Sequence, residues 1–184
     1  MGVLYVLCGI AGSGKSTFAL EYLSENRLWA HRVSTDEIRL RLYGDEACQK
    51  DPKRVFEVAY EEIHKWLPNR DVIFDATNLK RSFRKQLIDE FKEYAEKIVC
   101  VYFIPNVGLA IERDAGRARV VGRSVIRRQA EQLEVPTKDE GFDDIVQIDS
   151  DHKVGELNTC VLCGRYVVEG MHVCPLCQKK WGAF

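Results

Sequence analysis

Three things are scarce in this chain, and each closes off a class of function. Net charge is nearly absent: 27 Lys and Arg stand against 28 Asp and Glu, a formal balance of −1. No general basic coat exists for wrapping nucleic acid, so any such partner must meet a local patch. Long hydrophobic runs are missing as well. The first apolar stretch, Val3–Cys8, is too short to span a bilayer and lacks the basic flank and small-residue cleavage site of a signal peptide. Val6 stands where an N-myristoylation signal needs Ser or Thr, so no membrane partner is expected. Internal repeats and low-complexity tracts are the third absence, which leaves an ordinary globular chain. Its 184 residues suit one core domain of about 150 residues plus a small appendage.

What is present is more specific. Five short, continuously apolar runs at 3–8, 30–34, 72–75, 98–103 and 145–149 read as buried parallel strands. Helical patterns separate them. Asp51-Pro52 is an N-cap followed by a first-turn proline, after which Val55, Ala59, Ile63 and Trp66 share one apolar face. In the next unit Phe83, Leu87, Phe91 and Tyr94 are expected to do the same. Alternating strands and helices predict an α/β fold, a five-stranded parallel sheet with right-handed crossovers and helices on both faces. Residues 1–150 form this core, and the polar stretch 151–156 reads as a linker.

Directly after the first strand comes Gly9-Ile10-Ala11-Gly12-Ser13-Gly14-Lys15-Ser16, a phosphate-binding loop in the strand-loop-helix position its mechanism needs. Gly9, Gly12 and Gly14, with Ser13 among them, let successive backbone N–H groups turn toward phosphate oxygens. The helix starting near Lys15 aims its positive end at the same anion. Lys15 is predicted to reach the β and γ phosphates of ATP and Ser16 to bind Mg²⁺, with Thr17 as the substitute one position on.

Ligands of parallel sheets sit at the carboxyl ends of the strands. After the second strand, Asp36 begins a helix and Arg39 shares its face three residues on. Asp36 can accept the proton of an alcohol attacking a γ-phosphate. After the third strand, Asp75 is expected to face the site as a Mg²⁺ carboxylate, with Thr77 or Asn78 capping the following helix. The charges of Lys80, Arg81, Arg84 and Lys85 read as a solvated face. Farther on, Arg113, Arg117, Arg119, Arg123, Arg127 and Arg128 crowd one stretch, which Gly116 and Gly122 bracket as a lid over about 113–128. Planar guanidiniums there can grip phosphate, while others pair with Glu112, Asp114 and Glu131.

Together, the 9–17 loop, Ser-Thr-Asp-x-x-Arg at 34–39, Asp-Ala-Thr-Asn at 75–78, and Glu-Arg-x-x-x-Arg-x-Arg followed by Val125-Ile126-Arg127 resemble polynucleotide 5′-kinase domains of bacterial and phage end-healing enzymes. Gly141-Phe142 before the last strand is also similar, and the likeness covers about residues 3–149. The resemblance implies that Lys15 and Ser16 bind ATP and Mg²⁺ and that Asp36 is the general base. It also implies that Arg39 contacts the acceptor's phosphate and that Arg117 or Arg119 holds the donor's phosphates. The acceptor is then a 5′-hydroxyl end of RNA or DNA. With no room for a fused phosphatase or ligase, repair or ligase partners are expected to be separate proteins. Two rivals share these residues: a P-loop kinase of a small-molecule or tRNA-linked hydroxyl, and a non-catalytic ATP-gated binding module.

Of seven cysteines, Cys8, Cys48 and Cys100 are scattered while Cys160, Cys163, Cys174 and Cys177 form two Cys-x-x-Cys pairs. That is metal arithmetic, and it points to a reducing, cytoplasmic location. Four soft ligands predict a closed, structural Zn²⁺ ribbon over residues 157–184, with a short hairpin between the pairs and His172 at the surface. Lys153, Arg165, Lys179, Lys180 and Trp181 fit it for holding a nucleic-acid strand, docking a protein or covering the sheet edge.

Overall fold

The computed structural model describes residues 1–26, 29–117, 119–149, 158–159 and 166–167. Five strands, β1 (Val3–Cys8), β2 (Ala30–Ser34), β3 (Asp71–Asp75), β4 (Lys97–Phe103) and β5 (Asp144–Ile148), form one sheet in the order β2-β3-β1-β4-β5. Every neighbouring pair is parallel. The alternation along β1 sorts the two cores. Leu4, Val6 and Cys8 face one side and pack with Val55, Ala59 and Ile63 of α3 (Pro52–Trp66) and Leu87, Ile88 and Phe91 of α4 (Arg81–Phe91). Leu7 faces the other and packs with Phe18, Ala19 and Tyr22 of α1 (Lys15–Asn26). Both sides of the sheet are thus covered, as a parallel sheet requires.

Caps fix the helices that frame the open end. Ser34 caps α2 (Thr35–Tyr43) by accepting from Glu37 N–H, and Gly44 ends it in the left-handed region. Asp51 caps α3 through Arg54 N–H at 3.0 Å, as its pairing with Pro52 predicts. A smaller third cluster, Ile10, Leu79, Ala110 and Ile126, joins α5 (Val107–Ala115) and α6 (Arg123–Gln132) to the sheet's carboxyl edge.

The entry to α4 departs from expectation in two ways. Neither Thr77 nor Asn78 caps it; the N-cap is Lys80, without a side-chain bond. Asn78 instead takes a positive φ of 46° and donates from Nδ2 to the Leu7 carbonyl at 2.7 Å, bridging β3's exit to β1. The apolar face is also turned: Phe83 and Tyr94 are exposed, whereas Arg84 is fully buried. Its guanidinium forks onto both oxygens of Glu140 at 2.7 Å and donates to the carbonyls of Asn78 and Leu79 at 2.9 Å. A buried cation persists because these acceptors replace its water. Arg84 therefore does not belong to a solvated face.

Two further strands, β6 (Asn158–Thr159) and β7 (Tyr166–Val167), pair antiparallel. They flank the first Cys-x-x-Cys in sequence, one step earlier than the hairpin expected between the two pairs. Cys160, Cys163, Cys174 and Cys177 lie outside the described residues, as does the 151–156 linker. Among the described residues, no helix is long and apolar enough to cross a membrane.

Candidate active site

The strand order puts β1 between β3 and β4, so the chain leaves the centre of the sheet in opposite directions and a crevice opens at the carboxyl ends. The glycine-rich loop occupies that point. Gly12 and Gly14 hold φ of +78° and +98°. At Gly12 a Cβ would lie 2.3 Å from the Ala110 carbonyl oxygen, so both its backbone angle and its contact with α5 demand glycine. Gly9 N–H donates to Thr77 O at 3.0 Å, and Ala11 N–H donates to Gln129 Oε1 at 2.7 Å. The loop is thereby pinned from β3's exit and from α6.

Lys15 lies almost wholly within the loop, donating from Nζ to Ile10 O at 2.6 Å and Ser13 Oγ at 3.3 Å. Burial pushes its ammonium down to about 8, against the opposing pull of Asp75. A cation held poorly solvated in a nest of backbone N–H groups suits an anionic ligand. Ser16 lines the same cleft; Gly9 and Ser13 support the loop from within, and Thr17 is exposed outside the cleft lining.

The cleft encloses about 760 Å³ and brings Lys15 and Ser16 together with Asp36, Arg39, Asp75, Arg117, Arg119 and Arg128. Asp36, half exposed in the first turn of α2, accepts from Arg39 Nη1 at 2.7 Å and from Arg119 Nη1 at 3.4 Å. Arg119 is shared with Glu46, also at 3.4 Å. Arg39 Nε is buried and finds no hydrogen-bond partner among the described residues, an unsatisfied donor in a side chain that lines the cleft. Asp75 is buried and holds Arg32, which donates from Nε at 3.0 Å and Nη2 at 2.6 Å to Oδ2 and also pairs with Glu37. The Ser16 hydroxyl and the Asp75 carboxylate are hard oxygen donors, the set that fits Mg²⁺.

The AAA domain family matches residues 4–136. The chain belongs to that family, AAA_33. A curated relative, the L-seryl-tRNA(Sec) kinase of Methanococcus maripaludis, is 26% identical over 147 residues, covering 73% of this chain and 53% of the relative. The chain thus spans about half the length of the curated relative it matches. In the solved Pnkp1/Rnl/Hen1 RNA repair complex, one chain is 25% identical, with a TM-score of 0.61 and coverage of 72% of this chain and 44% of the other. Kti12 of Chaetomium thermophilum, solved with ADP-AlF₃, shares the fold with a TM-score of 0.65 at 21% identity, covering 82% and 90% of the two chains.

Within this AAA domain, the arginine-rich segment divides. Arg117, Arg119 and Arg128 line the cleft, while Arg123 and Arg127 are exposed outside its lining. Asp114 does not serve as a surface partner for arginine: it is buried and accepts the N–H groups of Val121 and Gly122 at 3.0 and 2.8 Å, tying down the far end of the 116–122 loop. Sequence reasoning missed Arg32, Gln129 and Glu46. Arg32 left a signal, a cation in a strand otherwise read as buried.

Proposed function

We propose that this protein transfers the γ-phosphate of ATP, or another nucleoside triphosphate, to the 5′-hydroxyl end of RNA or DNA. The observation carrying this reading is Asp36, a carboxylate across one cleft from Lys15, flanked by two guanidiniums. Lys15 and the loop amides hold the donor's phosphates, and Arg117 and Arg119 close on them from the lid. Mg²⁺, held through Ser16 and Asp75, supplies neutralisation of the phosphate charge. Asp36 takes the hydroxyl proton as that oxygen attacks in line, a role worth about 10²–10⁴-fold. Arg39 orients the acceptor through its phosphate. Support comes from family membership and from the likeness to a chain of an RNA repair complex; by analogy, repair or ligase proteins are the partners.

In this reading residues 1–150 are the kinase unit and 157–184 a four-cysteine zinc ribbon joined through the 151–156 linker. A second reading, phosphorylation of a tRNA-linked hydroxyl, draws on the relative named as an L-seryl-tRNA(Sec) kinase. Incubation with labelled Mg-ATP and either a 5′-hydroxyl oligonucleotide or a seryl-tRNA separates them by which acceptor carries the label. Asp36→Asn should abolish transfer and retain ATP binding. Wild-type turnover by that variant refutes the base assignment.

A further inference from the structure

Phe83 is the feature the chemistry so far leaves unused. It sits in the first turn of α4, out of phase with the buried stripe of Arg84, Leu87, Ile88 and Phe91, and is 58% exposed. An exposed phenylalanine on a convex surface needs no explanation, but Phe83 lines the same concave cleft as Asp36. The half-buried Phe56, with Pro52 and Leu79, extends this apolar wall, and the exposed Arg128 adds a cation. A flat π face and a positive charge lining one cleft match an acceptor that carries both an aromatic ring and a phosphodiester. A sugar acid offers no such ring.

We propose that Phe83 is a stacking platform for the nucleobase of the acceptor's 5′-terminal nucleotide, with Arg128 meeting the adjoining phosphodiester. This rests on the 5′-kinase reading and names the part of the acceptor that the cleft grips. Stacking tolerates any base, because every base has a π face, so the site selects nucleotides over sugars without selecting sequence.

The test uses the full chain, a short 5′-hydroxyl oligonucleotide bearing 2-aminopurine at its 5′ end, and the same oligonucleotide with an abasic 5′ end. Wild-type protein should quench the 2-aminopurine fluorescence and Phe83→Ala should not. Phe83→Ala should raise the acceptor KM by about 5- to 100-fold, the span of one base-aromatic stack, with the KM for ATP unmoved and Phe83→Tyr restoring the loss. On the abasic acceptor the variant and wild type should converge. Equal quenching and equal KM in Phe83→Ala overturn the stacking site and leave the kinase reading standing. Phe83-dependent quenching with no phosphate transferred to any oligonucleotide keeps the site and overturns the kinase reading. Neither quenching nor transfer overturns both.

Discussion

Replacing Glu140 by Gln keeps the size of the buried side chain but removes its charge and turns one acceptor oxygen into an NH2 donor, leaving the Arg84 guanidinium uncompensated where both side chains have no solvent exposure. Of the two short bonds at 2.7 Å, one loses its acceptor and the other its ionic character. Breaking one partner of a buried pair costs about 3–5 kcal/mol. For a chain of this size that corresponds to a thermal midpoint about 6–20 °C lower. The structure also predicts what the reverse cut and the double change do. Arg84→Met strands the Glu140 carboxylate and the Asn78 and Leu79 carbonyls, while Arg84→Met with Glu140→Leu removes both charges and leaves the carbonyls and the Thr137 N–H that Glu140 Oε1 otherwise accepts, at about 1–3 kcal/mol each. The double variant should therefore be more stable than the sum of the singles Arg84→Met and Glu140→Leu predicts, by about 2 kcal/mol or more. Urea titration of wild type, Glu140→Gln, Glu140→Leu, Arg84→Met and the double variant, followed by circular dichroism, measures this. A Glu140→Gln loss below about 1 kcal/mol, or strict additivity in the double, refutes the claim that this pair holds α4 to the turn at residues 138–140.

Other outcomes follow from the loop and the appendage. Gly12→Ala drives a methyl into the Ala110 carbonyl and should abolish ATP binding. Gly44→Ala, also at positive φ but in open space, should cost about 1–2 kcal/mol of stability with binding intact, and calorimetric titration that finds ATP bound normally by Gly12→Ala contradicts the packing argument. Because Lys15 loses its proton near pH 8 and a bound anion favours the charged form, ATP binding should take up protons around that pH and weaken as pH rises beyond it. Titrations in buffers of different ionisation enthalpy that detect no uptake count against it. The four clustered cysteines predict one zinc per chain. Metal analysis of reduced protein should find it, and find it lost in Cys160→Ser with Cys163→Ser; a metal-free wild type disproves the ribbon.

Much of the fold is legible in the sequence because parallel strands buried on both faces declare themselves as apolar runs. β1 and β2 match the expected bounds, β3 and β4 each begin one residue earlier, and β5 is shifted one residue earlier at both ends. The glycine-rich loop, Asp36, Arg39, Arg117, Arg119 and Arg128 are picked out by sequence position and lie along one cleft, while Arg123 and Arg127 are not part of its lining. What stays hidden depends on partners distant in sequence. Arg84 occupies the first slot of the 84, 87, 88, 91 stripe, but its charge disguises the slot. Its counter-charge, Glu140, lies 56 residues on, out of sight of any local pattern. Asp114 reads as an arginine partner because sequence shows side chains and not the backbone N–H groups of Val121 and Gly122 that claim it. Asn78 likewise has the residue type of a cap, yet β1 lies near enough to take its amide.

The two hydrogen bonds that stitch β1 and the glycine-rich loop to the exit of β3, from Gly9 N–H to Thr77 O and from Asn78 Nδ2 to Leu7 O, tie two walls of the cleft into one piece. Under the proposed function, the loop that would hold the donor and the β3 exit that carries Asp75 would then shift together. Accommodation of different acceptors would fall to the rim lined by Arg119 and Arg128.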